Sequence, residues 1–397
     1  MLLSALSHFS RLSAILKKVM INQFAEKKDI CLIGGGHSHI IAIKQLGMQP
    51  PSSNIRISLI CNDQFILYSG MLPGLISGHY LPQDCYIDLQ KLCNQAKITF
   101  IQDEVERIDL LSKQIYCNLH TRFSYDLMSI NIGSQPMLLD IKGASRYGCP
   151  IKPLKQFLPN WLKWLHAAQS TNEPKHIVII GGGAASIEIL LAIHYKLSHT
   201  NLPHVNFSLI CAHPSILNSY NQRIKQYFDD YLNKLGINVI TGKRVTAINQ
   251  HKLVIDNDMT LDYDFVVWAT NASAQPWVAK SGLKCDPSGF ILVDQFLRSV
   301  SHTDVFAVGD CANFIHTPLV KNGVYAVRQG PILANNLIAA SHNRSLLAFK
   351  PQKYFLSLLA TGDRHAVASL GPLHAHGKWI WLWKNYIDRT FIEQFNQ

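Results

Sequence analysis

Two stretches of this chain, 147 positions apart, carry the same pattern, and that repeat restricts the fold more than anything else. The first is Asp29-Ile30-Cys31-Leu32-Ile33-Gly34-Gly35-Gly36-His37-Ser38-His39, with Ile40, Ile41, Ile43 and Leu46 following at helical spacing. The second is His176-Ile177-Val178-Ile179-Ile180-Gly181-Gly182-Gly183-Ala184-Ala185-Ser186-Ile187-Glu188, continued by Leu190, Leu191 and Ile193. Each reads as a short buried strand, a glycine turn and a helix. Gly34 permits the tight turn, and Gly36 lets a pyrophosphate approach the backbone, where a helix N-terminus offers N–H groups and the positive end of its dipole. Gly47 is placed to end the first helix. Further strands, Ile55 to Ile60 and Val205 to Ile210, complete a βαβ unit after each turn. Two Rossmann-like dinucleotide-binding domains in an α/β chain are predicted.

Both units depart from the usual pattern. The third motif position holds His39 in one and Ser186 in the other, and the acidic residue expected after the second strand is replaced by Cys61 and Cys211. Asp63 stands near the first of these positions and only His213 near the second, so the choice between NADH and NADPH stays open, as does weak cofactor occupancy.

Composition excludes several classes. At 397 residues two or three domains are expected. The net charge of +11 comes from Lys and Arg spread along the chain, without the basic stripe that nucleic-acid binding needs, and it fits an anionic cofactor or an anionic membrane surface. Nine scattered cysteines form no C-x-x-C, which points to a reducing, cytoplasmic setting. No apolar run is long enough to span a bilayer. His37 with His39, and His374 with His376, lack the neighbours of a metal site, so no metal is expected.

Three further segments complete a recognisable set: Tyr125 to Ser134, Tyr263 to Asn271, and His302-Thr303-Asp304-Val305-Phe306-Ala307-Val308-Gly309-Asp310. With the two glycine turns they resemble the two-dinucleotide-binding-domain flavoproteins of the pyridine nucleotide-disulfide oxidoreductase superfamily, over about residues 29 to 345. The resemblance implies FAD at the first turn, NADH or NADPH at the second, and a bond from Asp310 to the ribityl side of the flavin. Cofactor contacts are then expected from Gly34, Gly35, Gly36, His37, Ser38, Gly133, Gly181, Gly183, Ala184, Ser186, Gly309 and Asp310.

The redox-active cysteine pairs of the disulfide reductases are missing, since residues 62 to 84 hold no cysteine and the second unit has no C-x-x-C. Sulfide:quinone reductases need two cysteines; Cys149 could serve as one, but none follows Cys311. What remains resembles the type II NADH dehydrogenases. Within that group the loop from Tyr68 to Tyr80, Lys152-Pro153, Val327-Arg328-Gln329-Gly330-Pro331 and Thr361-Gly362-Asp363-Arg364 are similar to the flavoprotein module found beside selenide water dikinase. From that loop Ser69, Met71 and Pro73 join the expected cofactor contacts.

The resemblance also implies a chemistry in which hydride passes from nicotinamide to flavin without a protein acid or base. Glu188, seven residues after Gly181, matches a glutamate near both rings and is expected to act as polar clamp or proton relay; the bland alternative is an exposed helix carboxylate. Arg328 and Gln329 are expected at the flavin O2 edge, against an ordinary helix surface. The electron acceptor is open. A quinone is one candidate, although Gly323-Val324-Tyr325-Ala326-Val327-Arg328 lacks both glutamines of the usual quinone-pocket stretch. A non-enzymatic redox sensor read by a partner is the competing class.

The expected organisation is a basic amphipathic extension over 1–28, FAD domain over 29–150 and 273–345, NAD(P)H domain over 151–272, and a cap over 346–397. Residues 1–28 read as a membrane-surface anchor, a leader ahead of a start at Met20, or a packed helix. In the tail, Trp379, Trp381 and Trp383 with Lys378, Lys384 and Arg389 suit a helix on the inner face of a membrane, with cations at the headgroups; packing on the flavin domain or in a homodimer is the alternative.

Overall fold

The computed structural model describes residues 27–136, 141–200, 202, 204–270 and 272–396. The amphipathic extension before residue 27 and Asn271 lie outside them.

Each apolar run ahead of a glycine turn forms the middle strand of a five-stranded parallel sheet. In the first sheet the order is Val305–Ala307, Leu127–Ile130, Lys28–Ile33, Ile55–Ile60 and Thr99–Ile101. In the second it is Cys149–Pro150, Phe265–Trp268, Lys175–Ile180, Val205–Cys211 and Asn238–Thr241. The strand carrying each turn is flanked by the next strand on one side and a later one on the other, which opens a crevice at the carboxyl ends. These strands are continuous in Ile, Val and Leu because helices cover both faces of a parallel sheet. The α/β class and both βαβ units are as the pattern implied.

Each half also carries a three-stranded antiparallel sheet, over residues 105–124 and 245–262. The segments crossing between the halves pair with each other, Gln135 opposite Ser273 and Pro136 opposite Ala272. The first turn helix, His37–Met48, packs on the long helix Gly323–Ser341, where a Cβ at Gly330 would lie 2.7 Å from Ile41. One expectation is corrected: Gly47 lies inside the first helix rather than ending it. A Cβ there would come within 2.9 Å of Ala96, so the glycine serves close packing.

A cap closes the molecule. The strands Ser357–Ala360, Ala366–Leu370 and Leu373–Gly377 form an antiparallel sheet, followed by the helix Lys378–Asn396. The motif Thr361-Gly362-Asp363-Arg364 is the first hairpin turn. Gly362 has φ +87°, and a Cβ there would lie 2.5 Å from the carbonyl oxygen of Leu191 on the second turn helix. The carbonyl oxygen of Gly362 also accepts from His79 Nε2 at 2.7 Å.

Candidate active site

Between the two sheets and beneath the cap lies a cavity of about 1410 Å³, running from His37 beside the first glycine turn to Gly181–Ser186 at the second. The first turn is held together by side chains that crowd it. Gly34 has φ +90°, and a Cβ there would sit 2.5 Å from the Asn131 carbonyl oxygen. The Asn131 amide oxygen, turned toward the helix, accepts from the N–H groups of Ser38 (3.0 Å) and His39 (3.1 Å). His39 is fully buried, and burial pushes its pKa down to about 4. Its Nδ1 donates to the Gly34 carbonyl (2.7 Å) and its Nε2 accepts from Ser129 Oγ (2.8 Å). The histidine at the third position is therefore part of the turn's architecture. Ser186 does the same in the second unit, donating to the Ala269 carbonyl at 3.1 Å.

The cavity walls show unmet demand for polar partners. His37 is half-buried at the rim, with its Nε2 buried and unpartnered, and desolvation lowers its pKa to about 4, so it stays neutral. At the second turn the helix Ala184–Ser198 starts at Gly183 with no side-chain cap and no acid in its first turn, and a Cβ on Gly183 would meet nothing within 4 Å. Unsatisfied N–H groups and open space at a helix start suit a phosphate-bearing ligand. These residues fit FAD at the first turn and a nicotinamide nucleotide at the second.

Asp310 follows Gly309, whose φ of +68° aims the turn at the cavity. It accepts from Lys152 Nζ (2.9 Å) and Ser134 Oγ (3.3 Å). Burial would raise its pKa, but Lys152, Lys321 and His37 outweigh that and hold it below the ordinary range. Gln329 is placed differently from the expected flavin edge: its Oε1 accepts from Gly309 N–H at 2.6 Å, so it supports the turn from behind. Arg328 is exposed and lines the cavity.

Glu188 is not an exposed helix carboxylate. It lines the cavity and accepts from the backbone N–H of Ala360 in the cap (2.9 Å); burial raises its pKa to about 7, with nearby Lys384 pulling the other way. Lys384 donates to Asp388 Oδ2 (2.6 Å) and to the Gly70 carbonyl (2.7 Å), and both members of the pair are buried. Burial alone would lower the Lys384 pKa; Asp388 and Glu188 override it and keep the ammonium charged. Tyr68 engages Asp388 and stacks on Phe391, with ring centroids 4.6 Å apart. Lys384 thus faces inward, which corrects the expectation that it meets lipid headgroups.

Of the expected contacts, His37, Ser69, Pro73, Gly181, Gly183, Ala184, Ser186, Glu188, Arg328 and Asp310 line the cavity. Gly34, Gly35, Gly36, Ser38, Met71, Gly133 and Gly309 lie behind or beside it, Met71 fully buried and Ser38 Oγ donating to the Ala326 carbonyl at 2.7 Å. Lys384, Asp388 and Asn131 were missed as site residues. The first two had one signal, opposite charges four residues apart in an aromatic helix. All nine cysteines are unpaired, eight of them buried.

Residues 28–330 match the family model described as pyridine nucleotide-disulphide oxidoreductase. The type II NADH:quinone oxidoreductase of Staphylococcus saprophyticus is 22% identical over 368 residues, covering 87% of this chain and 88% of that protein. Among solved structures, the sulfide:quinone oxidoreductase of Aquifex aeolicus superposes with a TM-score of 0.80 at 19% identity, covering 93% of this chain and 91% of that one. NDH2 from Plasmodium falciparum in complex with NADH gives 0.77 at 16% identity, covering 92% and 98%. At those identities the structural likeness speaks for the fold.

Proposed function

The chain belongs to the pyridine nucleotide-disulphide oxidoreductase family, and we propose that it is an FAD-dependent NAD(P)H oxidoreductase that passes electrons to a quinone without a redox-active disulfide. The observation that carries this reading is the cavity running from His37 beside the first glycine turn to the second turn, with the His37 Nε2 unpartnered, the helix start at Gly183 without a side-chain cap, and no paired cysteine. When bound there, the flavin supplies acceptance of a hydride and onward transfer of electrons. Residues of the chain do the rest. Asp310, kept ionised by Lys152, holds the ribityl side, while His37 offers its unused ring nitrogen to the same ligand. Glu188 can hold or release a proton near neutral pH. The cap covers the cavity over Glu188, whose carboxylate accepts from Ala360.

The quinone assignment draws on the named activity of the Staphylococcus relative and on the cap helix. Trp379 (59% exposed), Leu382 (52%) and Tyr386 (68%) lie on its outer side, flanked by Lys378 and Arg389, a surface suited to an anionic lipid interface. Among the described residues no helix is long and apolar enough to cross a membrane. A link to selenium chemistry has no support beyond the sequence motifs, and the sensor reading loses ground to a cavity sized for two nucleotides.

The test is an anaerobic titration of FAD-loaded protein with NADH and NADPH, followed by a short-chain ubiquinone analogue. Bleaching of the yellow chromophore by nucleotide and its return on quinone supports the proposal. Bleaching that only dyes reverse would remove the quinone, and a protein that never holds flavin would remove the whole reading.

A further inference from the structure

At the far end of the second nucleotide site, the strand Val205–Cys211 ends where a carboxylate would be needed to accept from both hydroxyls of an adenosine ribose. Cys211 occupies that place, and its thiol is turned away: it donates to the Ser215 carbonyl (3.6 Å) and packs on Gly182, where an added Cβ would lie 2.2 Å from Sγ. Acidic residues lining the cavity are Glu188, Asp310 and Asp388, all accounted for at the flavin and cap end. The ribose end has none.

Two basic side chains and a histidine stand there instead. The backbone of 242–243 clasps the strand end, with Gly242 N–H donating to the His213 carbonyl (2.8 Å) and Lys243 N–H to the Cys211 carbonyl (3.2 Å). This brings His213, Lys243 and Arg244 onto the cavity lining around the vacant acidic position. Lys243 is neutralised by Asp256 at 2.9 Å, with Asp258 also nearby. Arg244 is different. Its backbone N–H donates to Asp256 Oδ1 (2.9 Å) and its charge lies within the field of that carboxylate, but its exposed guanidinium has no hydrogen-bond or ion-pair partner among the described residues.

We propose that this end of the site is built for a 2′-phosphate, so that the chain selects NADPH over NADH, with Arg244 as the phosphate ligand and His213 as a second lining side chain. The inference rests on the reading of the second turn as a nicotinamide-nucleotide site. A guanidinium presents paired N–H donors that match a phosphate dianion, whereas the ribose diol of NADH finds no carboxylate on the lining of this end of the cavity. Removing the acid and supplying a free arginine act in the same direction: one withdraws the group that would repel a phosphate, the other attracts it.

The experiment is calorimetric titration of the FAD-loaded full chain with NADP⁺ and NAD⁺, oxidised forms that cause no turnover, with 2′,5′-ADP and 5′-AMP as competitors. NADP⁺ is expected to bind about tenfold or more tighter than NAD⁺, and added salt should narrow the gap. Arg244→Ala, which keeps the backbone bond to Asp256, should weaken NADP⁺ about tenfold and leave NAD⁺ within about twofold. His213→Ala should act in the same sense but less. Equal or tighter binding of NAD⁺, or an Arg244→Ala variant that weakens both nucleotides alike, would overturn the inference while leaving the oxidoreductase reading intact. If neither nucleotide binds a flavin-loaded protein, that reading fails as well.

Discussion

The Glu188 carboxylate accepts the backbone N–H of Ala360 at 2.9 Å, and that contact ties the helix of the second glycine turn to the cap sheet. Glu188 thereby sits at the cavity wall between that helix and the cap, within the field of Lys384.

Its acidity gives a first prediction. Burial raises the Glu188 pKa from 4.5 to about 7, so between those values the folded protein binds a proton that the unfolded chain has lost. The Glu188 contribution to stability therefore falls with rising pH across that window, by roughly 1.4 kcal/mol per pH unit at most, and its loss is complete above about pH 7. Glu188→Gln keeps the acceptor for Ala360 and removes the titration. Because His37 and His39, held neutral by burial, act in the opposite sense in both proteins, the readout is a difference: between about pH 5.5 and about pH 8.5, urea unfolding should show the parent losing about 2 kcal/mol relative to the variant. Parallel behaviour of the two proteins would mean that the carboxyl is ionised throughout.

The ion pair of Lys384 and Asp388 gives a second. Lys384→Met leaves a buried carboxylate uncompensated and should cost roughly 3–5 kcal/mol, whereas adding Asp388→Leu to it should recover most of that loss. Denaturant midpoints of the parent, both single variants and the double variant measure the coupling. A double variant no better than Lys384→Met alone would show that the pair is held by packing rather than by charge.

Two glycines of the second turn should answer differently to added carbon. Gly181 has φ +129°, and a Cβ there would lie 2.3 Å from the Ala269 carbonyl oxygen. Gly181→Ala is expected to destabilise by roughly 2 kcal/mol or more. Gly183 opens onto empty space, so Gly183→Val should change stability by less than about 1 kcal/mol yet weaken nucleotide binding about tenfold or more. Thermal melts with calorimetric titration separate the two effects; a Gly183→Val protein that binds as tightly as the parent would move the phosphate site elsewhere.

The outer side of the cap helix can be tested by flotation with vesicles containing anionic lipid. Replacing Trp379 and Trp383 together by Ser should reduce bound protein about tenfold without altering the melting temperature, since both rings are largely exposed (59% and 42%). Unchanged flotation would assign that surface to a protein partner or to solvent.

Much of the fold was legible because it is local. An apolar run of six residues, three glycines and a 3.6-residue period place strand, turn and helix without reference to anything distant, and doing so twice fixes the class. The site was legible only where one segment builds it. His37, Gly183 and Asp310 lie in their own motifs, and the sequence marked them. Asn131, His39 and Ser129 were opaque, because an asparagine at the end of one strand satisfies a helix that begins 94 residues earlier. Lys384 was misread for a related reason. Among tryptophans a lysine looks like a cation facing lipid, and nothing in the tail reveals that Gly70, over 300 residues upstream, supplies the carbonyl that draws it inward.

The last helix also closes the chain on itself, Asn396 donating to the Tyr86 carbonyl at 2.9 Å and Lys384 reaching Gly70. A molecule cut before residue 378 would lose a wall rather than an appendage. Glu188 would meet water and recover the strength of an ordinary carboxylic acid, Tyr68 would lose its stacking partner, and the chamber between the two sheets would stand ajar.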